Sequence, residues 1–168
     1  MKMQTSRDLT QIDDENAIRR LVAFYSDAVT HLDATRAAAV YTDDGCIFIA
    51  GTGIVGRSAI EEGMRQTFSA FALLQLIAHG GLISVDGDRA RARWSTIELT
   101  VRRESTDLSC IFGRYEDELV RLPEGWRFQK RSFTLAGRVL LDVVKLQLNS
   151  AFTLSDLNAT LFHLDRTS

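Results

Sequence analysis

The chain has 168 residues, 45% of them apolar and 25% charged, and a formal net charge of −2. That length suits one domain with a real core, and so small a charge leaves no electrostatic footprint for nucleic acid or an anionic membrane. No run of about 18 apolar residues is present to span a bilayer, and residues 1–16 are polar and acidic without the apolar stretch of a secretory signal. The expected location is the cytoplasm, and the expected partner a small molecule.

Cys46 and Cys110 sit in apolar runs and read as two buried thiols, since a reducing compartment does not favour a bridge. Three histidines and no cysteine cluster offer no ligand set for zinc, so no metal is expected.

In chain order, residues 13–32 come first. Ile18, Leu21, Val22, Tyr25, Ala28, Val29 and Leu32 fall at i, i+3, i+4, i+7 spacing and predict an amphipathic helix. Asp13, Asp14 and Glu15 lie in its expected first turn, where the helix dipole favours acids. A short Ala-rich helix is predicted over 34–41, ending at the turn cluster Thr42-Asp43-Asp44-Gly45, with a buried strand at 46–49. Ser58-Ala59-Ile60-Glu61 reads as a capping box opening a third helix, with Ile60, Met64, Phe68 and Phe71 as its buried stripe.

Beyond that helix the period changes to two. Strands over 73–85 and 89–101 flank the turn Asp86-Gly87-Asp88, and strands over 110–122 and 126–135 flank Pro123-Glu124-Gly125. Helices first and then a meander is an α+β order. An N-terminal segment at 1–12, a domain at 13–135 and a C-terminal extension at 136–168 are expected. The extension carries Val139, Leu140, Leu141, Val143, Val144, Leu146 and Leu148, enough apolar side chains to call for packing on the domain or on a partner subunit.

Asp14-Glu15-Asn16-Ala17-Ile18-Arg19-Arg20-Leu21, Tyr25 and Tyr41-Thr42-Asp43-Asp44-Gly45 resemble the opening of SnoaL-like proteins. Gly56-Arg57-Ser58-Ala59-Ile60, Val85-Asp86-Gly87-Asp88-Arg89-Ala90, Gly113-Arg114-Tyr115-Glu116-Asp117 and Gly125-Trp126-Arg127 continue the likeness in order, over roughly 10–135. It implies N-terminal helices packed on a curved antiparallel sheet, a cone-shaped, cystatin-like α+β barrel around an apolar pocket. The superfamily holds nuclear transport factor 2-like proteins, scytalone dehydratase, ketosteroid isomerase, bile-acid dehydratase, polyketide cyclases, non-catalytic members and β subunits of ring-hydroxylating dioxygenases. Function must be argued from the site.

The resemblance implies a tyrosine and an aspartate on the first helix and a histidine on the following sheet. Tyr25 matches the tyrosine, as a phenol for a substrate carbonyl or as a core aromatic. The aspartate position falls on Thr30, which is no general base, and the histidine position on Leu76. His79, three residues later, lies on the opposite strand face unless Gly80-Gly81 forms a bulge, so it is either a catalytic base or a solvent-facing histidine. Alternation from Ala92, Trp94 and Thr96 carries Glu98 inward, where an apolar pocket would raise its pKa; the alternative is an ion pair with Arg114. Tyr115 and Asp117 share a strand face and either line the pocket or, for Asp117, pair with Arg131.

The catalytic candidates are therefore Tyr25, His79 and Glu98, with Thr30, Leu76, Trp94, Tyr115 and Asp117 as substrate-binding candidates. The expected activity is a cofactor-independent lyase or isomerase step on a small hydrophobic cyclic substrate, in a homodimer or higher homo-oligomer. A non-catalytic binding or accessory protein, or a β-type oxygenase subunit, are the alternatives.

Overall fold

The structure, a computed structural model, describes residues 2–105 and 107–141. Helix α1 spans Lys2–Thr30 and buries Ile18, Val22, Tyr25, Ala28 and Val29, the inner part of the predicted stripe. It starts well before residue 13, so Asp14 is a mid-helix residue and no dipole partner. Its carboxylate is buried instead, accepting from Trp126 Nε1 at 3.2 Å and pairing with Arg121 at 2.6 Å. Leu32, with φ of 56°, ends the helical run, and the Asp33 side chain accepts from Arg36 N–H to cap α2 (Ala34–Ala38).

Strand β1 (Tyr41–Ile49) begins inside the segment predicted as helix and turn. The cluster Thr42-Asp43-Asp44-Gly45 is absorbed as an irregularity in that strand. β2 (Thr52–Val55) pairs back on β1 through Ala50-Gly51, both at positive φ, a two-residue hairpin turn that fits the strand twist. Helix α3 (Arg57–Ser69) buries Ile60, Met64 and Phe68. The expected capping box does not form: the N-cap is Gly56, whose φ of 93° and ψ of 135° turn the chain out of β2, and no side chain caps it. Glu61 instead accepts from the Thr35 hydroxyl at 2.8 Å, tying α3 to α2.

β3 (Phe71–Asp86), β4 (Arg89–Arg102), β5 (Leu108–Leu122) and β6 (Gly125–Leu141) form the meander. Phe71, expected on the helix, opens β3. Both predicted hairpin turns are present, with Gly87 and Gly125 at positive φ. The sheet order is β2-β1-β6-β5-β4-β3. β1 runs parallel to β6, so the sheet is mixed rather than wholly antiparallel, and it is curved and unclosed. The fold class is α+β, with the N-terminal helices packed on its inner face.

Three of the bulges in the sheet bear on the candidate residues. On β6, Gln129 is an extra residue opposite Glu118/Leu119, and Ala136 is another opposite Phe112/Gly113. Each insertion reverses the alternation, so the inward set runs Trp126 and Phe128, then Arg131 and Phe133, then Arg138. The third bulge, between His79 and Leu82 on β3, is the one Gly80-Gly81 predicts. β6 continues to Leu141, beyond the expected end at 135. Val143, Val144, Leu146 and Leu148 lie outside the described residues. Both cysteines are unbridged and half-buried rather than fully buried.

Candidate active site

α1, α3 and the inner face of the sheet enclose a cavity of about 220 Å³. Ile60, Met64 and Phe68 of α3 close one side, because a single helical stripe presents them at i, i+4, i+8. Tyr25 and Val29 of α1 close another. The sheet contributes Glu98 from β4, Tyr115 from β5, and Phe133 and Arg138 from β6. A wider depression on the outer face is open to solvent, with Arg91, Arg93, Glu116, Glu118 and Lys130 around it. It has neither the apolar wall nor the convergent polar groups of a small-molecule site.

Tyr25, Glu98 and Tyr115 meet on the cavity wall. The Tyr115 hydroxyl donates to Glu98 Oε1 at 3.4 Å, a long bond. The Tyr25 and Tyr115 rings stand edge to face at 6.1 Å. Burial raises the Glu98 carboxyl above its ordinary range, and the Tyr115 hydrogen bond offsets that only in part. The ion pair with Arg114 considered for Glu98 does not form; Arg114 lies on the outer face beside Glu116. Burial also pushes the Tyr25 and Tyr115 phenols up, so both are protonated donors at neutral pH.

Beneath the two phenols lies a charged core. Arg131 is fully buried and forms two 2.7 Å hydrogen bonds with Asp117, which is equally buried. Its guanidinium stacks over Tyr25, Tyr115 and Phe128, at 4.4, 4.3 and 3.9 Å from their ring centroids. Burial works against this cation, but Asp117 more than compensates and raises its pKa above the usual value. Tyr41 packs against Tyr25 and Phe128, so the three tyrosines of the chain gather around one arginine.

The other candidates lie elsewhere. His79 is exposed. The bulge falls after it, so the reversal of alternation comes too late to turn it inward. Gly81 instead makes room for the Trp94 ring, with which an added Cβ would collide. Trp94 is thereby core, and its Nε1 has no hydrogen-bond partner among the described residues. Asp117 is held by Arg131, away from the cavity wall. Thr30 and Leu76 do not line the cavity either. Thr30 Oγ1 accepts from the Leu76 backbone N–H at 3.1 Å, which ties the end of α1 to β3. Leu76 itself is buried directly opposite Glu98.

Sequence reasoning missed Arg138 on the wall and Tyr41 beneath it, and foresaw Arg131 only as the partner of Asp117. Gly137, a glycine inside a strand, was the available signal of the bulge that turns Arg138 inward.

An uncharacterized protein of Mycobacterium tuberculosis is 29% identical over 126 residues, 73% of this chain and 86% of that protein. Among solved structures, hexachlorocyclohexane dehydrochlorinase LinA-type3 from Novosphingobium barchaimii LL02 matches with a TM-score of 0.74 at 17% identity, covering 82% of this chain and 96% of that one. An NTF2-like protein with a cystatin-like fold from Novosphingobium aromaticivorans matches with a TM-score of 0.63 at 22% identity, over 80% and 89% of the two chains. At such identities the structural likeness speaks to the fold alone. The model of the SnoaL-like domain matches residues 10–132, most of the chain, and the chain belongs to that family.

Proposed function

We propose that the protein is a cofactor-independent lyase or isomerase acting on a small, largely apolar cyclic substrate, with Glu98 as the base. The observation that carries this reading is one carboxylate on an apolar cavity wall, with its pKa raised by burial and a phenol at 3.4 Å. A raised carboxylate is a stronger base when ionised and remains available near neutral pH. Glu98 takes a proton from the carbon beside a substrate carbonyl, and Tyr25 donates to the oxygen on which negative charge develops. Isomerisation ends with the proton on Glu98 returned to another carbon, dehydration with that proton passed to a β-hydroxyl that leaves as water while the enolate collapses to the enone. The hexachlorocyclohexane dehydrochlorinase with this fold is named for an elimination on a small ring, which agrees with this substrate class. A dry apolar cavity of about 150 Å³ takes benzene, so the volume here suits one substituted ring.

A second reading is a non-catalytic binding protein, favoured by the hydrogen bond from Leu76 to Thr30. Those are the two positions the family resemblance assigns to the acid–base pair, and here they join helix to sheet. The wild type and Glu98→Gln, presented with cyclic enones and β-hydroxyketones, separate the two readings. Turnover that falls by about 10²- to 10⁴-fold in the variant, with binding retained, is the expected result. Binding without turnover by the wild type favours the second reading, and equal turnover by both proteins removes Glu98 from the mechanism.

The protein is also proposed to work as a homodimer joined through the outer face of the sheet. Ile77, Phe112 and Val139 are exposed there, with Ile97 and Leu99 half-buried between them. The other half of the same face mixes Arg91, Arg93 and Lys130 with Glu116 and Glu118, a pattern complementary to itself across a two-fold axis.

A further inference from the structure

Arg138 is the one cation among the described residues lining the cavity. The Ala136 bulge places it there, since without that extra residue the side chain would point to the outer face. Its Nε donates to Ser109 Oγ at 2.8 Å, and Ser109 is itself buried on the inner wall. That contact orients the guanidinium and leaves both terminal nitrogens without an ion pair or hydrogen bond among the described residues. Arg138 is exposed at the rim, where the bulge turns it toward the cavity and the serine holds its Nε.

We propose that Arg138 binds a carboxylate on the substrate, so that the ligand is a small amphipathic monoacid with its ring against Met64 and Phe68 and its anion at the rim. The two free nitrogens form the planar fork that a carboxylate accepts in bidentate fashion. Glu98 and Arg138 are two strands apart in one row, with Ile111 between them. Their Cα atoms are thus about 10 Å apart by strand spacing. The reacting carbon and the anion therefore sit at opposite ends of a single-ring ligand, which keeps the substrate charge away from the ionised base. This assignment rests on the cavity being the substrate site, and it adds the charge and orientation of the substrate.

Calorimetric titration of the full chain with 3-cyclohexylpropanoate and with its neutral counterpart 3-cyclohexylpropanol tests it. The wild type is expected to bind the carboxylate about tenfold or more tightly than the alcohol, by a margin that shrinks in high salt. Arg138→Gln should erase the preference while leaving alcohol binding within about twofold, and Arg138→Lys should keep part of it. Equal binding of both probes by the wild type overturns the proposal while leaving the pocket reading intact. An equal loss of both probes in Arg138→Gln overturns it too, because the arginine would then only support the fold. Failure of both probes to bind overturns this assignment and the pocket reading together.

Discussion

Glu98 sits between two opposing influences, and Tyr115 controls their balance. Burial disfavours its ionised form, while the Tyr115 hydroxyl stabilises it by donating to Oε1. Tyr115→Phe removes the stabilising contact, so the carboxyl holds its proton to higher pH. Because the proposed reaction needs the ionised base, the acidic limb of kcat/KM against pH should move to higher pH in the variant. A limb that stays in place, or moves to lower pH, would mean that Tyr115 does not poise Glu98. Glu98 was legible in the sequence because β4 is regular: with Ala92, Trp94 and Thr96 inward, simple alternation brings position 98 inward as well. His79 precedes its bulge, so the outward reading that simple alternation gives it holds, whereas Arg138 was not legible because it follows a one-residue bulge. A slip of that size exchanges the two faces of a strand without changing its composition.

Element packing turns on the ion pair that β5 and β6 bury together. Arg131 faces inward only because Gln129 is bulged out, and it meets Asp117 directly across the two strands. Removing one member leaves the other as a buried, uncompensated charge, so Arg131→Met should cost about 3–5 kcal/mol of stability in chemical denaturation. Replacing both groups by apolar ones, as in Asp117→Leu with Arg131→Met, should recover most of that loss, since neither charge then has to be desolvated. A double variant as unstable as the single one would shift the explanation to the aromatic groups stacked on the guanidinium. The pairing of Asp117 with Arg131 was one of the two sequence-level readings of that strand face. The three rings around it were not foreseen, because Tyr25, Tyr115 and Phe128 come from three separate elements and no local pattern joins them. Helix starts were misjudged for a related reason: Asp14 resembles an N-terminal acid, yet its partners Arg121 and Trp126 lie more than a hundred positions along the chain.

Across the whole molecule the curved sheet uses its two faces differently. The inner face carries the cavity, the phenols and the buried pair. The outer face divides into an apolar region around Ile77, Phe112 and Val139 and a charged region around Arg91, Glu116 and Lys130. A monomer gains nothing from leaving the apolar region in water, whereas a two-fold pairing buries it and matches the charges. Phe112→Glu places an acid in the centre of that apolar region, on the face opposite the cavity. The wild type is expected to elute as a dimer and the variant as a monomer that keeps its fold and its ligand binding, in size-exclusion chromatography with light scattering. Burial of a carboxylate opposite its own copy would cost several kcal/mol, enough to break an interface of ordinary size. A wild type that is monomeric at every concentration, or a variant that dimerises equally well, would place the contact between copies elsewhere. Since the cavity and the apolar region lie on opposite faces of the sheet, the same titration should leave the preference of Arg138 for a carboxylate unchanged when the dimer is lost. If that preference fell with the dimer, the cavity rim and the outer face would be coupled through the bulged end of β6.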